Sequence, residues 1–108
     1  MIRGSIHWVN LGDTHPPEFG KTRPALIVSN SEQNAVLSTV VVVPISTKPP
    51  EIWPLRLELP PLPGLKKNFA VIPGLRQISK TRLLEQIGLV PEDFMDDVAE
   101  AIAAYLGE

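Results

Sequence analysis

The chain has 108 residues, 44% of them hydrophobic, which suits one packed core and is short for two. The absence of cysteine excludes disulfide stapling, thiolate catalysis and cysteine-ligated zinc, and it permits a cytoplasmic setting. The net charge of −2 hides a division: all ten Lys and Arg lie at or before Arg82 beside five acids, and the other seven acids follow without a base among them. Residues 1–5 lack the apolar stretch of a secretion signal and no segment reaches the length of a membrane span, so one soluble domain over residues 1–108 is expected. Ser5 to Leu11 (SIHWVNL) alternates as a half-buried strand, and Pro24 to Ser29 (PALIVS) is a short apolar one. Thr39 to Ile45 (TVVVVPI) carries the strongest strand signal. Its β-branched run predicts burial on both faces, with Pro44 where pairing ends or an edge is free. Ile52 to Leu59 alternates Leu55, Leu57 and Leu59 against Arg56 and Glu58, and Phe69 to Ile72 and Leu75 to Ile78 are shorter strands. Six short strands without βαβ spacing predict a small β-barrel. From Pro91 the period changes to about 3.6, with Phe94, Met95, Val98, Ile102, Tyr105 and Leu106 on one side of a closing helix. Pro91 suits its start, Glu92 and Asp93 its positive end, and Gly107 its stop.

The chemistry these residues offer is narrow. His7 falls in a strand and His15 in a loop, and no histidine or carboxylate cluster has metal-ligand spacing, so no metal is expected. No Gly-rich phosphate loop and no Gly-x-Ser-x-Gly elbow is present. The basic body leaves room for a groove that takes a polyanion, although ordinary solvated faces account for the same charges. An arginine at the mouth of a strand, in KTRPALIVSN, is well placed to meet a phosphate. RNA carries its own nucleophile in the 2′-hydroxyl. A protein cleaves it by aligning that oxygen, taking its proton and stabilising the charge that grows on phosphorus. Glu18, Arg23 and the hydroxyl of Ser46 or Thr47 supply the groups for such a site, while each taken alone is an ordinary surface residue.

The segments RGSIHWVNL, KTRPALIVSN, TVVVVPIS and ISKTRLLEQIGLVPEDFMDDVAEAI resemble, in order and spacing, the PemK/MazF family of toxin endoribonucleases from bacterial toxin-antitoxin systems. The resemblance runs from about Arg3 to the C-terminus. It implies a small SH3-like barrel of the CcdB-like type with a C-terminal helix, a homodimer, metal-independent and cofactor-free cleavage of single-stranded RNA, and inhibition by a cognate antitoxin. By position, Arg23 matches the family's essential arginine and Glu18 an acidic loop residue of the site. The place of the essential threonine falls on Ser46, with Thr47 beside it; serine keeps the hydroxyl and loses the methyl that restricts its rotamer. Where family members carry an acid-Gln pair, this chain has Pro73-Gly74, with Arg76 retained beyond it. Lys21, Lys48 and Arg76 are the expected contacts to the RNA backbone, and Trp53 and Phe69 are candidates for base stacking, with core packing as the other role open to them. Two alternatives stay open: a non-catalytic barrel of the same descent that binds RNA or a protein partner, and a related poison of a DNA-handling enzyme.

Overall fold

Eight residues, Thr39–Ser46, form the longest strand of the computed structural model, which describes residues 2–13 and 16–108. The run is mostly valine, whose branched Cβ fits an extended chain packed on both sides. It is β3 in a series of β1 (Ser5–Asn10), β2 (Thr22–Ile27), α1 (Ser31–Val36), β3, β4 (Arg56–Glu58), β5 (Phe69–Val71), β6 (Arg76–Ser79), β7 (Leu83–Leu89) and α2 (Glu92–Leu106). The strands pair antiparallel in the order β4-β5-β3-β2-β1-β7, with β6 branching from β3. β3 pairs β6 from Thr39 to Val42 and β5 from Ile45 to Ser46, so it changes neighbour across Val43 and Pro44. Pro44, which has no N–H for a ladder, also stands at the last β2 pair, opposite Ala25. That is the end of pairing its sequence position predicts. The barrel bends around β3 and stays open between β4 and β7.

Burial on both faces of β3 follows the alternation of its side chains. Val43 and Ile45 join Ile6, Leu26, Leu57, Ala70 and Ile72 in a cluster closed by Phe94, Met95, Val98 and Ala101 of α2. Val40 and Val42 join Val9, Ala25, Ile27 and Ile78 in a second cluster on the other side. Each such side chain contributes roughly 1.5–3 kcal/mol when fully buried, so β3 holds both halves of the core together. Glu92 and Asp93 occupy the first turn of α2 after Pro91, where negative charge meets the helix's positive end.

Sequence and structure part in four places. β7 was not expected: only Leu83, Ile87 and Gly88 of its seven residues are even half-buried, so no clean alternation marks it. α1 is one and a half turns and has no apolar face to read; Asn30 caps it by accepting from the backbone of Glu32 and Gln33. The strand expected over Ile52 to Leu59 is confined to Arg56–Glu58, because the backbone N–H groups of Leu55 and Arg56 both reach the Ile52 carbonyl, 2.7 Å away, and reverse the chain at Pro54. Tyr105 and Leu106 are exposed, since the last turn of α2 runs past the end of the core. His15 lies outside the described residues.

Candidate active site

The loop from Leu11 to Lys21 is pinched shut at its base. Lys21 N–H donates to the Gly12 carbonyl at 2.6 Å and Leu11 N–H to the Lys21 carbonyl at 2.8 Å. Lys21 adopts a φ of 61° to close that pair, a region that costs a side-chain-bearing residue some strain. Two residues on, Arg23 enters β2 opposite Val9 and turns its side chain back toward the loop. Its Nε–H donates to the Gly20 carbonyl at 3.2 Å, and its guanidinium carbon lies 4.9 Å from the centre of the Phe19 ring. The two Nη groups have no partner among the described residues.

Arg23 opens into a groove of about 1160 Å³ that also receives Glu18, Lys48, Arg56, Arg76 and Arg82. Val42 and Pro44 of β3, with Val71 to Leu75 less Ile72, form its apolar floor. Five cationic side chains face two carboxylates there, Asp13 and Glu18. The four arginines share one way of being held. Arg56 Nη1 donates to the carbonyls of Lys48 at 2.9 Å and Pro49 at 3.3 Å, Arg76 Nη1 to Leu11 at 3.3 Å, and Arg82 Nη1 to Asn10 at 3.2 Å. A carbonyl fixes a guanidinium without neutralising it. The only ion pair among the described residues, Lys67 with Glu58 at 3.5 Å, does not involve them. The groove therefore keeps its positive field for an incoming anion.

Of the residues singled out from the sequence, Glu18, Arg23, Lys48 and Arg76 meet in this groove. Glu18 does not pair with Arg23; the Gly20 carbonyl and the Phe19 ring orient the arginine instead. Ser46 ends β3 largely buried, and its Oγ accepts the Lys48 N–H at 3.2 Å, which fixes the turn that delivers Lys48 and leaves the hydroxyl proton free to donate. Thr47 is exposed between them. Lys21 and Trp53 are exposed, and neither they nor Ser46 and Thr47 line the groove. Phe69 is corrected: at 2% exposure its ring is core and has no face to offer a base. Arg56 and Arg82 were missed. Arg56 reads as the polar side of an alternating strand and Arg82 as part of a basic turn, and only the pairing of β4 with β5 and the Lys80–Arg82 turn bring them to one place.

His7 lies apart from the groove. Its Nδ1 is 3.1 Å from the Leu84 carbonyl and so carries the proton, while Nε2 is buried without a partner among the described residues. No three His, Asp or Glu side chains among the described residues are grouped to hold a metal ion.

Residues 2–106 match the family described as PemK-like, MazF-like toxin of type II toxin-antitoxin system. Endoribonuclease MazF9 of Mycobacterium tuberculosis is 30% identical over 98% of this chain and 96% of its own length. Among solved structures, an endoribonuclease in complex with its cognate antitoxin from a mycobacterial species superposes with a TM-score of 0.82 at 26% identity, covering 99% of this chain and 95% of that one. MazF from Deinococcus radiodurans shares the fold, with a TM-score of 0.84 at 24% identity over 100% of this chain and 97% of that one.

Proposed function

Because the chain belongs to the PemK-like, MazF-like toxins of type II toxin-antitoxin systems, we propose that its groove binds single-stranded RNA and that Arg23 is the centre of an endoribonuclease site. The observation that carries this reading is the concentration of five cations in one groove around an arginine whose Nη groups have no partner among the described residues. In this reading residues 1–108 act as one toxin unit. The 2′-oxygen of the bound RNA attacks the adjacent phosphorus and Glu18 accepts its proton. The bond from phosphorus to the 5′-oxygen breaks, that oxygen takes a proton from water, and the products are a 2′,3′-cyclic phosphate and a 5′-hydroxyl. A guanidinium stays protonated and accepts nothing, so Arg23 stabilises the charge on the non-bridging oxygens as it forms. The Ser46 hydroxyl, with Thr47 beside it, supplies a second donor. Lys48, Arg56, Arg76 and Arg82 hold the flanking phosphates, Lys21 extends the basic track, and Trp53 is the stacking face for a base. No step calls on a metal or an organic cofactor.

The same charge pattern supports inhibition by a cognate antitoxin. A segment rich in acidic and apolar residues would match both the cations and the apolar floor, and so compete with RNA. Free edges at β4 and β7, with exposed Trp8, Leu84 and Leu89 near β7, support a homodimer. RNA is the substrate, which fits action in the cytoplasm, and no described helix is long and apolar enough to cross a membrane.

Cleavage of a mixed-sequence RNA in excess chelator tests the reading. Wild-type protein is expected to cut, and Arg23→Ala to lose at least about a hundredfold in rate while remaining folded, the scale of removing one transition-state donor. A folded Arg23→Ala protein that cuts normally moves the site elsewhere. Wild-type protein that binds RNA without cutting it establishes the non-catalytic alternative.

A further inference from the structure

Arg23 has two restraints, and one of them is a side chain with no role in the reaction. Its guanidinium carbon stands 4.9 Å from the Phe19 ring centre, well inside the reach of a cation–π contact, while its Nε–H holds the Gly20 carbonyl. The ring is itself fixed. Phe19 is half-buried, packs against the cluster formed by Val9, Ala25, Ile27 and Val42, and lies beside Gly74. A Cβ at residue 74 would lie 3.4 Å from Phe19 Cδ2, and only 2.4 and 2.8 Å from Cγ and Cδ of Pro44. Pro44 is buried in β3 and its ring cannot swing aside, so residue 74 has no room for a side chain. Phe19, Pro44 and Gly74 thus sit close together beside the groove, and the Phe19 ring is the surface that Arg23 lies against.

Resting on the RNA-cleaving role of Arg23, we infer that Phe19 is a positioning residue: its ring, wedged by Gly74 and Pro44, holds the Arg23 guanidinium so that both Nη groups face the groove. An arginine side chain has four rotatable bonds and loses rotamer entropy when it is fixed. A ring that fixes it in the free protein removes that cost from the transition state, where a donor must already be aimed at the developing charge. Glu18 does not do this work, since it makes no ion pair with Arg23.

Steady-state cleavage of mixed-sequence RNA by the full chain, alongside thermal melting, decides it. Phe19→Leu is expected to melt close to wild type, with kcat lowered about tenfold and KM within about twofold; tenfold corresponds to ~1.4 kcal/mol, the size of a partly desolvated cation–π contact. Phe19→Tyr keeps the π face and is expected to recover most of kcat. Should Phe19→Leu not fold, Phe19→Met, which fills more of the volume without a ring, takes its place. A folded Leu or Met variant with wild-type kcat overturns the inference, as does a loss confined to KM or a Tyr variant as slow as the Leu one. Failure of both apolar variants to fold assigns the ring to the core alone and also overturns it. Wild-type protein that does not cut RNA refutes the endoribonuclease site itself, whereas cutting by wild type and Phe19→Leu alike refutes only the positioning role.

Discussion

Ser46 and Arg23, the two donors proposed for the phosphate, are held by opposite kinds of restraint. Arg23 is held by a carbonyl and a ring, and Ser46 by the backbone N–H of Lys48 that its own oxygen accepts. Replacing Ser46 with alanine therefore removes both the proposed donor to the phosphate and the bond that shapes the Thr47–Lys48 turn. Ser46→Ala is expected to lower the cleavage rate about tenfold or more, and Ser46→Thr to keep or raise it, because the hydroxyl is what the two residues share. Neutral Ser46→Ala with a damaging Thr47→Ala would instead make Thr47 the functional hydroxyl. Arg23 and Glu18 were readable from one short loop because the chain that holds them is local: Glu18, Phe19, Gly20 and Arg23 fall within six residues of each other. Arg56 and Arg82 were not, since nothing in their neighbourhood distinguishes a solvated arginine from one facing a groove. Phe69 misled in the opposite direction, an aromatic beside two lysines whose ring the pairing of β5 turns inward.

At the scale of elements, β3 and α2 were visible in advance and β7 was not. β3 announces itself because burial on both faces demands an unbroken apolar run, and α2 because its 3.6-residue period is carried by large side chains. β7 is half solvated and, among the described residues, pairs only with β1 through a shifted register, so its residues answer to no single pattern. The same contrast predicts stability. Met95 is 2% exposed at the contact between α2 and the strands, and Met95→Ala is expected to cost about 2–5 kcal/mol in urea unfolding. Tyr105, on the overhanging turn of the same helix, is expected to tolerate alanine within about 0.5 kcal/mol. Equal losses at the two positions would mean that the end of α2 is packed in solution, as a dimer contact would make it.

For the molecule as a whole, the separation of charge along the chain reappears in part as a basic groove. Five of the ten bases line the groove, whereas no acid of α2 does. Binding to single-stranded RNA should then weaken with salt, with a slope of about 0.7 in log K per phosphate neutralised. Arg82→Ala is expected to lower that slope by about one such step without changing which sequence is cut. An unchanged slope would place Arg82 outside the RNA path. The open barrel makes a second demand, since the β4 and β7 edges and the apolar side chains beside β7 are uncovered in one chain. Light scattering at micromolar concentration is expected to give twice the 11.9 kDa chain mass, and a monomer mass with full activity would refute the dimer.

The central claim is that the RNA supplies the nucleophile and the protein supplies charge and alignment, and the ends of the cut RNA test it most directly. Digestion by the full chain in excess chelator, followed by chemical identification of the termini, is expected to give 2′,3′-cyclic phosphate, or the phosphate left when it opens, opposite a 5′-hydroxyl. Termini of 3′-hydroxyl and 5′-phosphate would show that water attacked instead, and would contradict the account built on Arg23, Ser46 and Glu18.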